Sequence, residues 1–307
     1  MRNFFRYNAL SGFFGNPSGS GGSTGGGGSS AEEWFNDGNT HIWITLPEGR
    51  TSPMLSVCPN GTVTVDWGDG TEPDVLKGTN DTSMKYTPNH EYAKSGDYVI
   101  TLTTDDTFGV KGNTNTTGIL RYSSSNNMLN HTYASCIRKI ELGDSVTRLT
   151  SYAFSCCYSL ESVKLPDSLI EIGGYVFSNC YALKSINIPN SVTSIVNEAF
   201  SCCYSLESVK LPDSLTEIGS RAFSRCYSLE SVNIPNSVTD IKTYAFEYCY
   251  RIIYYDFTNH TTVPTMPATT AFIYNPEDFE IRVPAALYDE WIVATNWTTY
   301  ASNIVAV

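Results

Sequence analysis

The chain has 307 residues, 41% of them hydrophobic, and a formal net charge of −12. It is long enough for two or three domains with real cores, and an acidic chain without clustered Lys or Arg is a poor partner for nucleic acid or anionic membranes. No run of about 18 apolar residues occurs, so no membrane span is expected.

Residues 1–14 set Phe4, Phe5, Tyr7, Leu10, Phe13 and Phe14 among few charges. The segment 15–37 opens on a Gly/Ser run, GNPSGSGGSTGGGGSS, that cannot bury a core and reads as a tether. Asn3, Arg6, Asn8 and Ser11 interrupt the apolar stretch that a Sec signal peptide requires, so none is expected. Two readings of 1–14 stay open: a disordered terminus, or an anchor peptide that orders on docking into a larger assembly.

Residues 38–110 read as short strands separated by turns. His41–Leu46 alternates as a strand does, Thr62–Trp67 alternates again before a Gly-Asp-Gly turn, and a third strand follows from Asp97. This is the pattern of a small β-sandwich. The stretch Val65-Asp66-Trp67-Gly68-Asp69-Gly70, followed by His90-Glu91-Tyr92 and Gly96–Leu102, resembles the signatures of PKD-type immunoglobulin-like domains. That resemblance, over about 70 residues, implies an extracellular-style spacer or adhesion module. Trp67 stands where the family more often has Phe. Asp66, Asp69 and Glu72 could also suit a calcium ion. Their D-x-x-D-x-x-E spacing lacks the ligand density of an EF-hand, and reads more simply as a turn with Asp66 at a strand edge. Residues 111–136 read as a connector or N-terminal cap.

From Ile137 the chain repeats every 23 residues, in units 137–159, 160–182, 183–205, 206–228 and 229–251, with a decaying half-unit at 252–265. Apolar residues recur at positions 1, 4, 6, 10 and 13, and position 18 is Phe154, Phe177, Phe200, Phe223 and Phe246. A unit this short cannot bury such side chains alone, but stacked units bury them in columns. Positions 4 and 6 face inward along a short strand, so positions 3 and 5 face out. Pro166, Pro189, Pro212 and Pro235 end that strand at position 7, where the first unit has Gly143 instead.

Five of the nine cysteines (Cys157, Cys180, Cys203, Cys226, Cys249) occupy position 21, one per turn. Disulfides or a metal are one reading; a column of inert buried thiols is the other. Five identical positions cannot all pair and no His accompanies them, so free thiols are expected. Cys156 and Cys202, at position 20, are expected to be more exposed. The pattern L-x-x-V-x-L-P-x-S-L-x-x-I-x-x-x-A-F-x-x-C resembles the BspA-like leucine-rich repeats. That resemblance implies a right-handed solenoid with strands on one face, serving adhesion and protein or glycan binding at cell surfaces. The fold class expected is therefore mainly β: a leucine-rich-repeat solenoid of 23-residue units over 137–265, preceded by a small PKD-like β-sandwich.

Units 160–182 and 206–228 agree at 17 of 23 positions, which marks duplication of a pair. Outward position 5 consequently alternates Lys164, Asn187, Lys210, Asn233 beside a serine column, Ser162, Ser185, Ser208 and Ser231. A further column, Tyr158, Tyr181, Tyr204, Tyr227 and Tyr250, follows the cysteines. Polar and aromatic ladders of this kind suit a glycan or an extended polymer, although the tyrosines could equally cover the solenoid's edge. Residues 266–307 read as a C-terminal cap: a strand, a short helix around 285–295 and an apolar tail, with Trp291, Trp297 and Tyr300 over the last rung.

The four histidines are scattered, and no nucleophile-elbow, C-x-x-C, H-E-x-x-H or phosphate-loop pattern occurs, so neither catalysis nor a cofactor is expected. The reading is a binding module for a host surface protein or glycan, at a virion surface or extracellular. A bacteriophage virion component with 1–14 as its anchor is one setting, motivated by the free thiols and the missing signal peptide. A bacterial surface or secreted adhesin, or a purely structural spacer, is the alternative.

Overall fold

The computed structural model describes residues 34–48, 53–59, 61–78, 85–86, 90–106, 108–110, 120–121 and 136–307. The anchor at 1–14, most of the tether at 15–37 and most of the connector at 111–136 lie outside the described residues.

Before the repeats come β1 Thr40–Leu46, β2 Met54–Pro59, β3 Thr62–Asp66, β4 Asp74–Lys77, β5 Lys85–Tyr86, β6 Gly96–Thr104, β7 Phe108–Val110 and β8 Leu120–Arg121. β1, β6, β3 and β4 form one antiparallel sheet in that order. The strand alternation read from sequence is its cause: Ile42, Ile44, Leu46, Val63, Val65, Ile100 and Leu102 all turn inward and are buried. β2 pairs antiparallel with β5, β7 and β8 in a second layer.

The repeats then lay down two ladders of parallel strands. Chain order gives β9 Ile137–Glu141, β10 Val146–Leu149, β11 Ser162–Lys164, β12 Glu171–Ile172, β13 Ser185–Asn187, β14 Ser194–Ile195, β15 Ser208–Lys210, β16 Glu217–Ile218, β17 Ser231–Asn233, β18 Asp240–Ile241, β19 Tyr254–Asp256, β20 Glu280–Val283 and β21 Ile304–Ala306. The odd-numbered strands to β19, then β20 and β21, make the first face; backbone bonds such as Glu207 N to Lys184 O (2.8 Å) and Ile253 N to Glu230 O (2.8 Å) link rung to rung. β10, β12, β14, β16 and β18 make a second face. The resemblance implied strands on one face. The second ladder forms because Leu149, Ile172, Ile195, Ile218 and Ile241 at position 13 all point inward beside outward polar neighbours, which is strand periodicity again.

The third side is held without strands. Positions 16 and 20 take the left-handed conformation in every repeat, from Tyr152 (φ 66) and Cys156 (φ 62) to Tyr244 (φ 62) and Tyr248 (φ 60). Such angles cost energy for residues other than Gly. Here they aim each amide at the next rung: Tyr152 N meets Gly174 O at 3.1 Å, and Cys156 N meets Ser178 O at 2.8 Å. The satisfied buried donors offset the strain.

The N-terminal strands are continuous with the solenoid. β1 pairs antiparallel with β9, setting Ile42 against Ile140, and β7 pairs parallel with β10. One hydrophobic cluster runs from Ile42 through the repeats to Ile304. Gly143 sits at this junction: its buried amide donates to Thr40 Oγ1 at 3.0 Å, and a Cβ there would lie 2.2 Å from Gly38 O. Neither condition admits the proline that later units carry at position 7.

Beyond Phe246 the spacing widens. Phe272 continues the phenylalanine stack 5.7 Å from Phe246, and Tyr254 registers with Glu280, each 26 residues apart. The segment 252–265 therefore begins a full, longer turn. At the C-terminal end, α1 Tyr288–Trp291 lies between short 3-10 turns, Ala285–Leu287 and Thr298–Asn303, so the helix is shorter than the predicted 285–295. Trp291, Trp297 and Tyr300 are buried; Trp297 Nε1 donates to Pro264 O (2.8 Å) and Tyr300 Oη to Thr269 O (2.6 Å). The predicted apolar tail forms strand β21.

Candidate binding surface

Strand alternation on the first face carries Ser162, Ser185, Ser208 and Ser231 at position 3 outward, and Asn187, Lys210 and Asn233 at position 5 beside them. Register is strict, with Ser185 opposite Ser208 and Asn187 opposite Lys210, so like positions recur about every 4.8 Å along the solenoid. From Ser185 to Asn233 these side chains hold no partner among the described residues. The face is a row of free hydroxyl, amide and ammonium groups, with both donors and acceptors on offer.

Lys164 stands apart from this row. Its ammonium pairs with Glu141 Oε1 at 2.7 Å and contacts Asn36 Oδ1. Glu141 is buried, and its carboxylate also accepts the amides of Phe35 (2.8 Å) and Asn36 (3.0 Å). The lysine thus fastens the segment ahead of β1 to the first rung and is not available to a ligand. Burial pushes the Glu141 pKa up, but the Lys164 ammonium and the two amides outweigh it, leaving the net shift downward. A lowered folded-state pKa contributes stability above the unfolded glutamate value, roughly 4.3, and that stability is lost as pH falls through the folded value. Glu141→Gln is expected to cost about 2 kcal/mol at neutral pH. It should also flatten the acid limb of a stability profile measured by urea titration between neutral and strongly acidic pH; an acid limb identical to wild type would count against the clamp.

Tyr158, Tyr181, Tyr204, Tyr227 and Tyr250 form one continuous stack, with neighbouring ring centroids 4.6–5.1 Å apart and near-parallel planes. The first four are half-buried and Tyr250 is exposed. Their faces are spent on one another, so a ligand meets ring edges and hydroxyls. Burial raises the phenol pKa of Tyr158, Tyr181, Tyr204 and Tyr227, so these hydroxyls stay protonated at neutral pH.

The cysteine column is a packing feature. Cys157, Cys180, Cys203, Cys226 and Cys249 are fully buried free thiols. Cys180 Sγ donates to Phe154 O at 3.3 Å and Cys203 Sγ to Phe177 O at 3.3 Å. Burial raises the thiol pKa of Cys180, Cys203, Cys226 and Cys249, to about 12 at Cys249, so these four hold no thiolate at neutral pH. Cys202 is partly exposed, but Cys156 is buried, unlike the expectation for position 20. In the N-terminal unit, Asp66 accepts the Gly68 amide (2.8 Å), while Asp69 accepts from Thr71 and from His90 Nε2 (2.9 Å). Those bonds engage two of the three carboxylates considered for calcium, Asp66 and Asp69. Among the described residues, no group of three His, Cys, Asp or Glu is placed to hold a metal.

Two side-chain sets were not anticipated from sequence. Position 16 forms a second outward ladder, in which Tyr152 stacks on Tyr175 (4.7 Å), Tyr175 Oη donates to Glu198 (3.0 Å), and Arg221 lies over Tyr244 (4.6 Å). Its residues differ from rung to rung, so identity in columns hides it; complementary chemistry between neighbours was the readable signal. Position 8, which carries Asp213, Asn236 and Asn259, lines a recess beside the first face.

This geometry defines a class: a mainly β solenoid of leucine-rich-repeat type with an outward polar row. Residues 127–253 match the BspA type leucine-rich repeat region in six copies, and the chain therefore contains a BspA-type repeat region. No curated protein matches the chain significantly. Among solved structures, it is similar to a leucine-rich repeat protein of T. pallidum at 26% identity and a TM-score of 0.41, covering 53% of this chain and 81% of that one. A leucine-rich repeat protein of Bacteroides ovatus is 27% identical with a TM-score of 0.35, and one of Eubacterium ventriosum is 20% identical with a TM-score of 0.37. The similarity to the B. ovatus protein covers 49% of this chain and 50% of that one, and to the E. ventriosum protein 45% and 42%. No helix among the described residues is long and apolar enough to cross a membrane.

Proposed function

We propose that the chain is a non-enzymatic adhesion module that presents the first face of its solenoid to a protein or glycan on a host surface. The observation carrying this reading is the unpaired row Ser185, Asn187, Ser208, Lys210, Ser231 and Asn233, repeated at strand spacing on a rigid sheet. A periodic set of hydrogen-bonding groups suits a periodic or extended ligand. Pre-formed sheet positions also lose little entropy on binding. Lys164 drops out of the ligand set, and the tyrosine stack adds edge hydroxyls along the corner before each strand.

The setting proposed with it is an exposed surface, with the aromatic residues 1–14 as the docking segment of a bacteriophage virion component and the PKD-like strands as its base. Supporting the PKD reading, His90 stacks on buried Trp67 (4.6 Å) and Tyr92 Oη donates to Trp67 O (2.9 Å), which joins the two signature stretches. Binding of labelled full-length chain to host cells is expected to weaken about tenfold when Asn187→Ala and Lys210→Ala are combined, as loss of two polar contacts implies. Wild-type chain that binds no host cells would leave a structural spacer. Peptides of the chain in purified phage particles would support the virion setting, whereas their recovery from cell surfaces of uninfected bacteria would make it a bacterial adhesin.

A further inference from the structure

One serine departs from its column. At position 9, Ser168 Oγ donates to Val146 O (3.1 Å), Ser191 Oγ to Leu169 O, and Ser214 Oγ to Val192 O (2.7 Å). By the same register Ser237 should donate to Leu215 O, yet its hydroxyl is buried with no partner among the described residues. Native structures seldom leave a buried hydroxyl unmatched. Ser237 lines a recess of roughly 630 Å³ at the edge of the first face, shared with Lys210, Asp213, Asn233, Asn236 and Asn259.

The polar groups around it are free. Neither the Lys210 ammonium, the Asp213 carboxylate nor the Asn233 and Asn259 amides have a side-chain partner among the described residues. Asn236 Oδ1 accepts Thr261 N at 2.9 Å, which leaves its amide nitrogen as a donor. The recess therefore offers one cation, one carboxylate and three amides. A phosphate would meet repulsion from Asp213, and a divalent cation would meet a single carboxylate beside an ammonium. Neighbouring hydroxyls on a sugar ring match the set: a carboxylate accepts two of them, while amide and ammonium donors serve the ring and hydroxyl oxygens.

We infer that this recess is a saccharide subsite, in which Asp213 and the amides of Asn233, Asn236 and Asn259 grip vicinal hydroxyls. It rests on the binding reading above and deepens it, since Lys210 and Asn233 belong to both the recess and the outward row. The test is capture of full-length chain by an array of neutral and uronate-bearing oligosaccharides. Wild type is expected to retain a subset of glycans, and Asp213→Ala with Asn259→Ala to weaken that capture about tenfold or more. The exposed Lys184→Ala should leave capture unchanged. Asp213→Asn, at an exposed position whose side chain has no bond to lose among the described residues, should keep the wild-type melting temperature while weakening capture; it decides the matter if the double variant misfolds. Array capture that ignores the recess variants overturns the subsite, as does a wild type that binds host cells but no glycan. Both of those results leave the adhesion reading standing; absence of host-cell binding and glycan capture together overturns the two.

Discussion

Replacing Phe200 with alanine is expected to lower the unfolding free energy by about 4 kcal/mol, the cost typical of emptying a buried phenylalanine site. Phe200 is fully buried and lies between Phe177 at 5.4 Å and Phe223 at 5.2 Å, in near-parallel stacks. Its removal takes contacts from two rungs at once, and the rigid backbone bonds from Phe200 N to Ala222 O (2.8 Å) and Cys202 N to Ser224 O (2.8 Å) limit collapse into the void. A solenoid's rungs touch only their neighbours, so a weakened centre also divides the cooperative unit. Urea unfolding followed by circular dichroism should show an earlier and broader transition than wild type. Tyr204→Ala, at a half-buried position in the same repeat, is expected to cost about 1 kcal/mol. Equal costs for the two would contradict a core centred on the phenylalanine column.

Gly143→Pro is expected to destabilise the chain by about 3 kcal/mol, although every following unit from 160 to 251 carries proline at that position. Proline cannot donate the bond that Gly143 N makes to Thr40 Oγ1, and its ring would enter the space within 2.2 Å of Gly38 O. Gly143→Ala keeps the amide but meets the same carbonyl, so it should fall between wild type and Gly143→Pro. Hydrogen exchange localises the effect: amides of β1 and β9 should lose protection first, while those of β15 and β17 stay slow. A Gly143→Pro chain as stable as wild type would mean that β1 does not sit on the first rung.

The repeat columns were legible because a fixed period forces identical residues into identical environments. Leucine at position 1, isoleucine at 13, phenylalanine at 18 and cysteine at 21 announce their burial without any knowledge of partners. The junction was not legible in that way. β1 and β9 pair across about a hundred residues, and no local pattern specifies which edge meets which; the departure of Gly143 from proline was the one trace. Lys164 and Lys210 look alike within their units, yet the rung before Lys164 carries Glu141 and the rung before Lys210 carries Asn187. Reading down the column, not along the unit, separates the fastened lysine from the free one. The recess was hidden for a related reason: its lining joins Asp213, Asn236 and Asn259 from position 8 of three successive turns to Lys210 and Asn233, and only stacking brings them together.

The duplicated pair of units has a genetic corollary. Units 160–182 and 206–228 share 17 of 23 residues, so unequal exchange between them inserts or deletes 46 residues without shifting any column out of phase. Each such event moves the two ends of the array by two rungs, roughly 9.6 Å at strand spacing, and adds or removes one free lysine from the outward row. The reach and charge of the surface can then change in whole steps while every surviving interface keeps its old chemistry. Selection acting on a partner's shape meets, in this chain, a ruler that recombination can lengthen.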